Sequence, residues 1–161
     1  MKIESIKIKH IIDDCPDLSY LGEYSDKPAA VCIDRKERGD QRHREVRYFN
    51  LGCGDPEYIE QDYQRMEAYH RQEWYSMGIM AEATVSYLLE NVIPAGHKRL
   101  ETFTSGGLWG VESDSGDYIK EVEDEQLDDL REHLAQFGIT TKDEDWQELC
   151  EQAKNNVVEC Y

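Results

Sequence analysis

Residues 74–90, WYSMGIMAEATVSYLLE, carry the reading on which the fold turns. Met77, Ile79, Ala81, Ala83, Val85 and Tyr87 fall at every second position, with Met80, Glu82, Thr84 and Ser86 between them. A period of two puts the first set on one face of a strand and the second on the other. Ala, Glu and Leu suit a helix equally well, so over residues 80–90 propensity and period conflict. The period predicts a long strand. Asn91 to Gly96, with Pro94 inside it, is turn-like, and KRLETFTS at 98–105 has the Thr and Phe content of a returning strand. Gly106 and Gly107 interrupt it and LWGVES continues extended, the pattern of a bulge that bends a strand and re-aims Trp109.

Working outward, residues 2–12 alternate, with Ile6, Ile8 and Ile12 against Lys7, Lys9 and Ile11, as a half-buried strand does. Residues 13–28 are rich in Asp, Ser, Gly and Pro and read as a loop that folds Leu18, Tyr20 and Leu21 back onto the core. AAVCID and EVRYFNL read as short strands joined by a projecting charged loop, RKERGDQRHR. Asp55 before Pro56 starts a first helix, ending near Gln72, with Ile59, Tyr63, Met66 and His70 on its inner stripe. A second helix has Ile119, Val122, Leu127, Leu130, Leu134 and Phe137 on its apolar stripe and stops at Gly138. A third begins at Thr141, where Thr141 and Glu144 form a capping box, and puts Trp146, Leu149, Cys150 and Ala153 on one face. The expected fold is α+β: a single domain over residues 1–161, with a small antiparallel sheet of about four or five strands, helices packed on it, and residues 138–161 as a C-terminal helical extension.

Composition narrows the function. The chain has 161 residues, with 18 Lys and Arg against 35 Asp and Glu, a net charge of −17. Mean hydropathy is −0.77. Such a surface repels nucleic acid and anionic membrane, so neither is an expected direct partner. The opening MKIESIKIKH lacks the apolar run of a signal peptide, and no stretch reaches the length of a membrane span, so the expected site of action is the cytoplasm. Cys15, Cys32, Cys53, Cys150 and Cys160 form an odd set without a CxxC pair, so free thiols are expected and no zinc site.

The acidity is uneven. Residues 1–50 carry ten basic and ten acidic residues, whereas residues 111–161 carry four and sixteen. Within the second helix Glu121, Glu125, Asp128 and Glu132 stand at i, i+4, i+7 and i+11, so carboxylates repeat every ~5 to 6 Å along one face. Like charges at that spacing cost a few tenths of a kcal/mol per pair. The stripe reads either as an imitation of nucleic-acid phosphates offered to a basic cleft, or as a solvated face that keeps the chain in solution. Asp143 and Glu144 extend it onto the third helix.

Other motifs are weaker. TSGGLWG has glycines that would let backbone amides approach an anion, but it lacks the P-loop lysine, and Glu112, Asp114 and Asp117 would repel phosphate. His10, His43, His70, His97 and His133 are scattered without metal-ligand spacing. No nucleophile elbow or Cys–His pair marks a hydrolase, so no catalytic residue, metal or cofactor is assigned. The basic run around Arg35, Arg38 and Arg42, together with Trp109, supplies candidate loop contacts, including contacts with the acidic helices of a second copy in a homodimer.

The strings PDLSYLGEYSD, DRKERGD, YFN, YIEQDYQRMEAYHRQEWYSMGIMAEA and TSGGLWGVESDSGDYIKEVEDEQLDDL resemble a group of small acidic prokaryotic proteins found in phages, plasmids and bacterial genomes. The resemblance spans about residues 13 to 137. It implies a mobile-element protein that binds and blocks a host protein, nucleic-acid-binding defence enzymes among them, and brings no catalytic residues with it. The leading expectation is therefore a non-enzymatic inhibitor that acts as a DNA mimic through Glu121, Glu125, Asp128, Glu132, Asp143 and Glu144. The alternatives are a small metal- or nucleotide-dependent enzyme built on Gly106 to Asp117, and a homodimeric module without a ligand.

Overall fold

Over residues 80–88 the period of two wins over helix propensity; residues 89 and 90 lie outside the described residues. The computed structural model describes residues 1–39, 46–88 and 98–161. Strands β1 (Lys2–Ile12), β2 (Gly22–Ser25), β3 (Cys32–Asp34) and β4 (Tyr48–Leu51) are followed by α1 (Ile59–His70) and then by the long strand β5 (Ser76–Leu88). Strands β6 (Lys98–Thr104) and β7 (Leu108–Glu112), helices α2 (Asp117–Gln136) and α3 (Asp143–Lys154), and strand β8 (Val158–Cys160) complete the chain. Met77, Ile79, Ala81, Ala83 and Val85 are all buried. A helix over these residues would spread them around its axis, whereas the strand puts them on one face.

The chain divides into two compact units, Met1–Asp14 with Ser76–Tyr161, and Cys15–Tyr75. The larger has a sheet in the order β6-β5-β1-β8, with β7 also paired to β5. β6 and β7 lie in succession along the same antiparallel partner, Glu82 to Leu88 facing β6 and Ser76 to Ile79 facing β7. The expected bulge lies between them. Gly106 and Gly107 take φ of 96° and 87°, and Ser105 bridges the break: its amide donates to the Ala81 carbonyl at 2.9 Å while its Oγ accepts the Ala81 amide at 3.0 Å. Trp109 is thereby re-aimed so that its indole lies over Gly78, where a β-carbon would come within 2.6 Å of the ring.

α2 packs against β5, β6 and β7, and α3 against β1. Val122, Leu127, Leu130 and Leu134 meet Ile6, Ile8 and the inner face of β5, while Trp146 and Ala153 close the core from α3. Ala81 and Ala83 leave room for the helix to come close to the sheet.

Five expectations need correction here. The sheet is mixed, because β8 pairs in parallel with β1 opposite Lys9 to Ile11. The segment after Gly138 is therefore not wholly helical. No Thr141–Glu144 capping box forms: Trp146 is drawn into the core and its amide bonds the Lys142 carbonyl at 2.9 Å, so the helix begins at Asp143 with no side-chain cap. Phe137, assigned to the apolar stripe, is exposed and stacks at 5.3 Å on both Phe103 and His133. The reason is the helix stop. Gly138 at φ 72° donates to Ala135, and Ile139 donates to Leu134 and is buried in place of Phe137, a Schellman turn with its hydrophobic contact.

The fifth correction concerns the short strands and the first helix, which do not join the main sheet. They form the second unit, where β2, β4 and β3 make an antiparallel sheet and α1 packs on it over Leu21, Ile33, Phe49, Tyr63, Met66 and Trp74. Asp55 caps as expected, accepting the Glu57 amide at 3.0 Å, but the first turn it caps is 3₁₀, Pro56–Tyr58. The architecture is α+β, and among the described residues no helix is long and apolar enough to cross a membrane.

Candidate functional site

The inner face of α2 contains polar groups as well as leucines, and each of them has a partner. Glu123 meets His10 Nε2 at 2.9 Å, Gln126 Oε1 accepts from Ser105 Oγ at 2.8 Å, and His133 Nδ1 lies 2.7 Å from the Thr104 carbonyl. These bonds satisfy groups whose burial would otherwise cost about 1–3 kcal/mol each. They fix the rotation of α2 about its axis. The consequence is that Glu121, Glu125, Asp128 and Glu132 are all exposed. Among the described residues none of the four makes an ion pair or a hydrogen bond, although other acids nearby do.

Two such pairs tie α2 to α3. Lys154 bonds Asp124, and Arg131 bonds Asp143 while its guanidinium stands 5.4 Å from the centre of the Trp146 ring. Between them runs a groove of about 490 Å³, floored by Leu127, Trp146 and Cys150. Burial pushes the Cys150 thiol up to about 11, which disfavours its thiolate near neutral pH.

The predicted acidic residues therefore divide. Asp143 is already neutralised by Arg131. Asp143 and Glu144 also occupy the first turn of α3, where the helix dipole favours a carboxylate. The four on α2 have neither compensation, because they run from its second turn toward its C-terminal end.

The described arginines of the basic run are engaged within their own unit. Arg35, expected as a loop contact, is buried: its guanidinium bonds Glu67 at 3.2 Å and the Val46 carbonyl at 3.3 Å and stacks 4.4 Å from the Tyr24 ring. Within this cluster burial and the Glu67 carboxylate hold the Tyr24 hydroxyl well above the usual tyrosine range. Arg38 forks onto Glu60 of α1, which holds the Glu60 carboxyl down near 2. Arg42 lies outside the described residues. Trp109 is half exposed, and its position over Gly78 gives it a packing role. Sequence reasoning missed the Arg35–Glu67–Tyr24 cluster, because a helical stripe that buries Tyr63 and Met66 gives no sign that the carboxylate of Glu67 beside them is buried too.

The glycines at 106 and 107 are accounted for by the bulge, and no group of three or more His, Cys, Asp or Glu among the described residues is arranged to hold a metal ion. No protein-family model matches the chain, and no curated protein or solved structure matches it either.

Proposed function

We propose that this chain is a non-enzymatic binding protein that presents the outer face of α2, extended by Glu144 of α3, to a basic surface on another protein. One observation carries the reading: four carboxylates at helical neighbour spacing are exposed and, among the described residues, make no ion pair, on a helix whose inner polar groups are partnered. Each like-charged neighbour costs stability, and the fold does not need the stripe. A partner that supplies Lys or Arg would repay the cost, and a face with carboxylates every ~5 to 6 Å competes with a nucleic-acid backbone for such a partner. Resemblance to small acidic proteins of phages and plasmids supports the choice of a host nucleic-acid-binding protein as target.

The test compares the wild type with a variant carrying Glu121→Gln, Glu125→Gln, Asp128→Asn and Glu132→Gln. The wild type, immobilised in a bacterial lysate at low salt, should retain a nucleic-acid-binding protein that high salt or added duplex DNA releases. The variant should fold and lose it. Retention of the same protein by both would overturn the proposal.

A further inference from the structure

β1 is paired unequally on its two sides. β5 pairs along one side from Lys2 to Ile12, with a register shift between Ile3 and Ser5 that leaves Glu4 out of the ladder, whereas on the other side β8 pairs with Lys9 to Ile11. Among the described residues no strand pairs with that side between Lys2 and Ile8, and no turn or loop backbone bonds to it. Seven residues of strand without a described pairing neighbour on that side span about 20 Å. Unpaired edges of this kind accept an added strand, because the incoming backbone satisfies every second amide and carbonyl.

Beside the start of this edge lies a groove of about 430 Å³. Ile3, Ile139 and Leu149 give it an apolar floor, and Asp145 and Glu148 of α3 stand along its rim. Asp145 and Glu148 are exposed. Glu4, also in the lining, is already engaged by Ser86, Lys98 and Lys2 and adds no free charge.

The occupant follows from charge. The unit that holds β1 has nine basic and 22 acidic residues, a net charge of −13, so a second copy is repelled at long range and a cationic segment is attracted. Lys2 and Lys7 along the strand further oppose pairing with an identical edge. The geometry points to a docking site for an extended peptide segment with alternating apolar and basic side chains, which adds a strand to β1 and lays its apolar residues between β1 and α3. A basic residue of that segment then faces Asp145 and Glu148. This surface is separate from the α2 stripe and does not depend on that stripe's function.

The probe is a fluorescein-labelled decapeptide of alternating valine and lysine, added to the full chain at physiological salt. Its anisotropy should rise to saturation, and amide exchange at alternate β1 positions between Lys2 and Ile8 should slow about tenfold or more. Methylating the peptide's backbone nitrogens should abolish binding, since strand addition needs those donors. Asp145→Lys with Glu148→Lys should weaken it about tenfold, and the variant with α2 residues 121, 125, 128 and 132 neutralised should bind as the wild type does. Absence of binding, equal binding of the methylated peptide, unchanged β1 exchange, or loss of binding in the α2 variant would each overturn the proposal.

Discussion

Arg35 shows how much one residue's meaning depends on its surroundings. In sequence it is one of several basic residues in a charged run, and in the fold it is 2% exposed, with its charge met by Glu67. Removing either partner leaves the other charge buried, so Glu67→Leu or Arg35→Ala should destabilise by about 3–5 kcal/mol in urea unfolding. Replacing both by apolar residues of similar volume should cost far less. Glu4 behaves differently. Hydrogen bonds from Ser86 and then Lys98 hold its carboxyl down to about 2. A carboxylate with a depressed folded pKa stabilises the fold above the ordinary range, near 4.5, and that contribution fades as pH falls toward 2. A thermal melt series from pH 5 to pH 2 should therefore decline less steeply for Glu4→Gln than for the wild type. At the alkaline end Tyr24, raised by burial, holds the fold below its unfolded value near 10, and that stability is lost as pH climbs beyond it.

Among the elements, α2 combines a face that is fully used with one that is not. Glu125→Lys places a cation among Glu121, Asp128 and Asp129 and should raise the melting temperature, with a gain of a few tenths of a kcal/mol per relieved pair. The same change should reduce binding of a basic partner, and a gain in both would contradict the assigned role. The C-terminal stop of α2 is more costly to alter: Gly138→Val forces a branched side chain to φ 72° and should destabilise by about 1–2 kcal/mol. In β5, Ala83→Leu overfills the space beneath α2 and should cost about 1–3 kcal/mol by chemical denaturation. β5 itself was legible because Met77, Ile79, Ala81, Ala83 and Val85 hold every second position and are all buried. β8 was not legible, since three residues carry no period and Val158 is paired only because β1 offers an edge.

For the whole molecule the relevant fact is two separate cores. The smaller unit, about 60 residues around a core of Trp74, Phe49 and the buried Arg35, lies in the size range where stability is marginal. Native-state hydrogen exchange should show it opening at lower free energy than β5, and Glu67→Leu should accelerate exchange in β4 and α1 while leaving the β5 amides unchanged. The sequence by itself determined the α+β class, the long strand, the inner stripe of α2 from Val122 to Leu134 and the position of its acidic stripe, because each of these depends on a period within some twenty neighbouring residues. Only the tertiary structure decided that Arg35 is a core residue, that Ile139 is buried instead of Phe137, that Asp143 is paired with Arg131 while Glu121, Glu125, Asp128 and Glu132 make no ion pair among the described residues, and that among those residues no strand pairs with the outer side of β1 before Lys9. Those outcomes depend on which distant groups arrive within hydrogen-bonding range, and charge or hydropathy read along the chain holds no record of that distance.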